Sequence, residues 1–153
     1  RCDNSNSRPG DIFHPHFILG KPAFFDISVR NSFLPSFIST SAVHAGAAGS
    51  AGELEKDSHY RSTVESLGAL FFPLVVESFG LWTTHSLKLL KSIAGRVALS
   101  ANISRSLAYS NLTQQLSIKL WSFNAKMILV RLLPSLNYAS SLLDFVYPNF
   151  LLS

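Results

Sequence analysis

Cysteine is almost missing from this 153-residue chain: Cys2 stands alone, so no internal disulfide and no cysteine-rich zinc site can form within it. A lone thiol fits a reducing, intracellular compartment, nuclear or cytoplasmic. Charge is scarce too, at 14 % of residues, which excludes a charge-patterned coiled coil, while 47 % apolar residues exclude a disordered chain. Long apolar runs are absent. The longest, Leu67 to Val76, is broken by Gly68 and Pro73 and stops at Glu77, well short of the ~20 residues a membrane-spanning helix needs. No membrane partner is expected. Position 1 holds Arg1 instead of Met and no charged-then-apolar leader follows, so the expectation is a fragment with an upstream region and no secretory signal.

What is present starts with 13 basic against 9 acidic side chains, a net charge of +4. That balance suits a phosphate-bearing partner and equally a solvated surface. Residues 1–10 are rich in Asn, Ser, Pro and Gly and predict a loop leading into the fold. Asp11 to Phe17 and Ala23 to Arg30 then predict two strands joined around Leu19-Gly20-Lys21-Pro22, a hairpin. Alternation sends Ala23, Phe25, Ile27 and Val29 to one face, expected to meet the core, and Phe24, Asp26, Ser28 and Arg30 to the other. Ser32 to Ile38, broken by Pro35, is at best an edge strand.

Ser39-Thr40-Ser41 supplies N-cap candidates for a helix reaching about Leu67, with Gly68 as its stop. Ala45, Ala48, Gly52, Lys56, Tyr60, Val64 and Leu67 recur at three- or four-residue steps and share one face, small enough in its first half to approach a sheet closely. Ala69 to Ser78 predicts a strand. Its Leu74-Val75-Val76 is apolar on both sides, as in a central strand, and Pro73 confines it to the second half. After Trp82, Thr83 or Thr84 caps a helix marked by Leu87, Leu90, Ile93 and Val97. A longer helix from Ser104 to Leu133 follows, through Leu112, Leu116, Leu120, Phe123, Met127 and Val130, ended by Pro134. The expected fold is α/β: a core over 11–100 of hairpin, long helix and central strand, a helical extension over 101–134, and a tail over 135–153 without clear period.

Chemistry is suggested first by Asp11 and Asp26. A hairpin centred near residues 18 and 19 sets them opposite each other, where like charges destabilise a sheet unless a cation lies between. Two carboxylates with water and phosphate oxygens are a common Mg²⁺ shell; the plainer alternative is a turn-proximal Asp11 and a solvent-facing Asp26. Lys56 is out of place on an apolar stripe. It either snorkels to water or aims a cation at the sheet, and Tyr60, one turn on, is a core residue or a functional one.

Arg8-Pro9-Gly10-Asp11-Ile12, then Phe25-Asp26-Ile27-Ser28-Val29, then Glu53-Leu54-Glu55-Lys56 with Tyr60, resembles the restriction-like endonuclease domain near the C-terminal end of site-specific non-LTR retrotransposon proteins. That domain belongs to the PD-(D/E)XK nuclease superfamily, and such chains are similar to the reverse-transcriptase-like proteins that mobile elements leave in animal genomes. The resemblance runs from Arg8 to about Gly80. It implies a restriction-endonuclease-like core and Mg²⁺-dependent (or Mn²⁺-dependent) cleavage of double-stranded DNA, with polymerase and zinc-knuckle regions upstream. It also implies Asp11 and Asp26 as metal ligands, Lys56 as the catalytic lysine and Tyr60 as the helix tyrosine. The D-x-K position holds Ser28, so the lysine has to come from the helix. A catalytically decayed remnant of the same fold, acting only as a DNA-binding or interaction module, is the alternative.

Other residues carry weaker signals. His14 and His16 flank Pro15 as a metal pair or as exposed turn histidines. Glu77 adds a third carboxylate or caps the helix near Thr83. Arg8 and Arg30 are DNA-contact candidates, while Lys88, Lys91, Arg96, Lys119, Lys126 and Arg131 contact phosphate or form the wet faces of helices.

Overall fold

The structure, a computed structural model, describes residues 10–132. Cys2, Arg8 and the loop before Gly10 lie outside the described residues, as does the tail over 135–153. The hairpin forms as predicted from β1 (Ile12–Ile18) and β2 (Lys21–Arg30). Leu19 and Gly20 both take positive φ (53° and 73°), the backbone that a two-residue hairpin turn requires. Ile12 pairs with Phe25, Phe13 with Phe24 and His14 with Ala23, before a shift near Pro15 brings Ile18 opposite Lys21. Asp11 precedes β1 and donates its N–H to the Phe25 carbonyl (2.8 Å), so the expected pairing of Asp11 with Asp26 is not part of the register.

β3 (Leu70–Glu77) lies parallel to β2 with Asp26 beside Pro73, and the described sheet has three strands in the order β1-β2-β3. The fold is mixed α/β. The strand expected at the centre is therefore an edge, and β2 is central. Pro73 does not shorten β3, because its missing N–H would face the outer edge, where residues of the same parity bond the following loop and helix. Val75 N–H donates to Ser86 Oγ (2.8 Å) and Glu77 N–H to the Leu81 carbonyl (2.8 Å). Proline on that side removes no bond from the ladder.

Parallel pairing needs a crossover, and two helices supply it where one was expected: α1 (Ile38–Val43) and α2 (Ala47–Ser66). Gly46, at φ 86°, breaks them apart. Ser39, Thr40 and Ser41 sit inside α1, so none of them caps α2. The edge strand expected over Ser32 to Ile38 does not form either; Asn31 Oδ1 accepts from Phe33 N–H (3.0 Å) and turns the chain instead. The stop at Gly68 is as predicted. Gly68 N–H donates to the Glu65 carbonyl and Ala69 N–H to the Val64 carbonyl, a Schellman pattern with Gly68 at φ 72°. Leu67, just past the helix end, is exposed.

Val64, Ala69 and Phe71 are buried together, with Phe24 and Tyr60 packed on them, so α2 covers the Phe24/Asp26/Ser28/Arg30 face of β2. The opposite face is core only in its first half. Ala23 and Phe25 are buried, Phe25 against Phe17 and Phe72, but Ile27 and Val29 are 45 % and 46 % exposed. The polar face meets the helix because its charges find partners there and because α2 is thin at that point. A Cβ on Gly52 would meet Arg30 Nε, with Cγ at 2.8 Å and Cδ at 2.9 Å. Gly52→Ala is therefore expected to destabilise by about 1 kcal/mol in urea unfolding: the helix-propensity gain of similar size is outweighed by displacing Arg30.

α3 (Thr84–Ala101) starts at the predicted cap, Thr83, whose hydroxyl accepts from Ser86 N–H (3.3 Å). Its buried residues are Ser86, Leu89, Leu90, Ala94 and Ala98, so Leu87, Ile93 and Val97 do not form its inner stripe. The Ser86 bond to β3 fixes that rotation. Asn102 ends α3 in the left-handed region, and Ser104 Oγ accepts from Leu107 N–H at the start of α4 (Arg105–Leu132). Ala94, Ala98 and Ala108 pack together with Tyr109 and Leu112. The chain divides into two compact units, 1–112 and 113–153. In the second, Leu120 is buried, whereas Phe123, Met127 and Val130 of the expected stripe are exposed. No helix among the described residues is long and apolar enough to cross a membrane.

Candidate functional site

The central strand carries Asp26 into the interface with α2, where its side chain is buried. Lys56 stands one turn beyond Gly52 on α2, and its stem runs toward the sheet instead of out to water; the side chain is 23 % exposed. Its Nζ lies 2.7 Å from Asp26 Oδ2. That oxygen has the ammonium as its ion-pair partner and no hydrogen bond of good angle. Tyr60, a further turn along, places its ring centroid 5.5 Å from the same ammonium and leans on Phe71. The lysine is held between a carboxylate and an aromatic face, both of which attract its ammonium.

Asp11 lies just before β1, and both its backbone and its carboxylate engage the β2 main chain: its N–H donates to the Phe25 carbonyl (2.8 Å), Oδ2 accepts from Ile27 N–H (2.8 Å), and the residue is exposed. Gly10 makes this possible. A Cβ there would meet the Phe25 carbonyl oxygen at 2.9 Å, so only glycine lets the chain pass this close to β2. Ser28 lies next on the Asp26 face, its buried hydroxyl without a hydrogen-bond partner.

Arg30 ends the same row. It packs over Gly52 and pairs with Glu55 Oε2 (2.9 Å). Glu77 is buried with both oxygens engaged: Oε1 accepts from Gly49 N–H (3.0 Å) and Oε2 from the Ser32 hydroxyl (2.7 Å). It caps α2, whose own N-cap Gly46 has no side chain to do so, and not the helix near Thr83. His14 and His16 are exposed; His16 N–H donates to His14 Nδ1, and the two bond their own hairpin. Arg96 and Lys91 lie over the rings of Phe17 and Tyr109.

A second cluster escaped the sequence reading. Glu53, Asp57 and Arg61 recur every four residues along α2, beside the Lys56 stripe, and with His85 and Lys88 of α3 they line a cavity of about 450 Å³ floored by Phe71, Phe72 and Pro73. The i, i+4, i+8 spacing was the available signal. Glu53 Oε1 accepts from the Thr83 hydroxyl (3.1 Å), and Oε2 lies 3.2 Å from His85 Nδ1. Asp57 takes both Nε and Nη2 of Arg61; that hydrogen bonding holds the guanidinium above its ordinary value, against a smaller opposing effect of burial.

Among the described residues no three His, Cys, Asp or Glu side chains gather as a metal-binding group. Mg²⁺ is nevertheless commonly held by one or two carboxylates, with water and phosphate oxygens completing the shell. Of the two expected ligands, Asp26 Oδ2 lies against the Lys56 ammonium and Asp11 Oδ2 accepts from Ile27 N–H. Comparison of the chain with protein-family models, with curated proteins and with solved structures finds no match in any of the three.

Proposed function

We propose that the Asp26–Lys56 pair is the centre of a restriction-endonuclease-like domain that hydrolyses phosphodiester bonds in double-stranded DNA with Mg²⁺ (or Mn²⁺). On this reading the chain is part of a retrotransposon-derived protein with polymerase and zinc-knuckle regions upstream. The observation that carries the proposal is the 2.7 Å contact itself, which joins the strand carboxylate and the helix lysine that the motif requires.

Asp26 and Asp11 would hold the cation, which when bound supplies positive charge against the phosphate and favours hydroxide over water. Lys56 offers an ammonium to the negative charge that builds on the phosphate oxygens during attack. Tyr60 is a positioning residue: its ring face restrains the ammonium. Ser28 supplies a hydroxyl beside Asp26, and Arg30, fixed by Glu55 and Gly52, is a contact for the DNA backbone.

A second reading, a DNA-binding module without catalysis, is favoured by one arrangement. Lys56 already neutralises Asp26, and the Asp11 carboxylate is committed to Ile27 N–H. Supercoiled plasmid separates the two. The proposal expects Mg²⁺-dependent nicking that falls at least ~100-fold in Asp26→Ala, the scale of losing a general catalytic group. Equal nicking by the variant rejects the assignment, and salt-sensitive binding without nicking by the wild type selects the module.

A further inference from the structure

We infer that the cavity between α2 and α3 binds a small amphiphilic anion, an aromatic body carrying one carboxylate, with Lys88 as its charge partner. The site is separate in its ligand from the nuclease reading and stands whether or not that reading holds. Its volume, about 450 Å³, is within the range of small-molecule pockets. Its floor and sides are Phe71, Phe72, Pro73, Leu54 and Leu89, which offer a flat ligand apolar contact and little to hydrogen-bond.

The charges around that apolar floor decide the sign of the ligand. Both oxygens of Glu53 are occupied, by the Thr83 hydroxyl and by His85 Nδ1. The Asp57 carboxylate is spent on Arg61, which also reaches Glu65 Oε1 (3.4 Å). A cationic ligand would have to break these pairs. Lys88, one turn after His85 on α3, forms no ion pair among the described residues and is the wall's free positive charge. Ser92, a turn further, adds a hydroxyl able to donate to the same carboxylate. An aromatic carboxylate therefore satisfies the floor and the wall together, whereas a neutral ring leaves the exposed ammonium to water and gains nothing from it, and a larger polyanion finds a second negative group facing Glu53 or Asp57.

The test is a titration of the ¹⁵N-labelled full chain with 1-naphthoate, followed by amide shifts. Saturable shifts confined to Ile18 and to the segments 53–61, 71–73 and 85–92, which line the cavity, are expected. Lys88→Glu, an exposed change that leaves the core alone, should weaken binding at least ~10-fold, the worth of one charge-assisted contact. Leu54→Trp, filling the mouth from an exposed position, should weaken it similarly, and neutral 1-naphthalenemethanol should bind more weakly than the acid. Shifts elsewhere, no shifts at millimolar naphthoate, or equal affinity for the acid in Lys88→Glu would overturn the inference. Equal affinity of wild type for the alcohol and the acid would overturn it as well.

Discussion

Lys56→Met should lower the unfolding free energy by about 2–3 kcal/mol, and adding Asp26→Asn should return most of that loss. The Asp26 side chain is 10 % exposed, so without the ammonium at 2.7 Å its carboxylate would remain charged in the helix–sheet interface with water largely excluded. Removing one partner of a buried pair leaves an uncompensated charge and costs about 3–5 kcal/mol when both are fully buried; the partial exposure of Lys56 reduces that. Asparagine removes the charge and keeps the shape, and methionine keeps the apolar stem that Lys56 lays along α2. Urea unfolding of the two single variants and the double variant gives the coupling directly. A double variant as unstable as Lys56→Met would mean that the pair contributes through packing alone.

Glu77→Ala should be comparably damaging, by about 3 kcal/mol, since it orphans the buried N–H of Gly49 and frees the Ser32 hydroxyl. The effect reaches beyond two hydrogen bonds. Gly46 offers α2 no capping side chain, so Glu77 is the acceptor, and its charge is the complement to the positive end of the helix that carries Lys56. Glu77→Gln keeps an oxygen for Gly49 and an amide beside Ser32, and is expected to cost under about 1 kcal/mol. Thermal unfolding of both variants checks this. Equal losses for Ala and Gln would show that the charge, and not the hydrogen bonds, holds α2 to β3.

These two residues also show what the sequence made legible. The hairpin and the pairing of residues 12–14 with 23–25 follow from alternation, a local property of the chain, whereas the meeting of Asp26 with Lys56 is expected only from the resemblance. The Gly68 stop and the Thr83 cap are local as well. Glu77 as the cap of α2 is not, because its partner lies 28 positions away and no spacing rule links them. Pro73 misled for a related reason: whether proline shortens a strand depends on which edge its nitrogen faces, and that is settled by Ser86 and Leu81 bonding β3 from outside. The face of β2 that meets the core was misjudged by counting apolar residues. Its first half splits apolar bulk between both faces, through Phe24 and Phe25, and the ion pairs of Asp26 and Arg30 then bring α2 to the more polar one. Asp11 is expected opposite Asp26, but its N–H bonds the Phe25 carbonyl and its carboxylate the Ile27 N–H, a close approach that Gly10 allows by lacking a Cβ.

Plasmid nicking by the Asp26→Asn/Lys56→Met double variant, compared with wild type at matched stability, puts the chemistry of the strand–helix pair apart from its contribution to folding. The account predicts a folded protein that melts close to wild type and shows no Mg²⁺-dependent nicking above background. A double variant that cuts at the wild-type rate would contradict it.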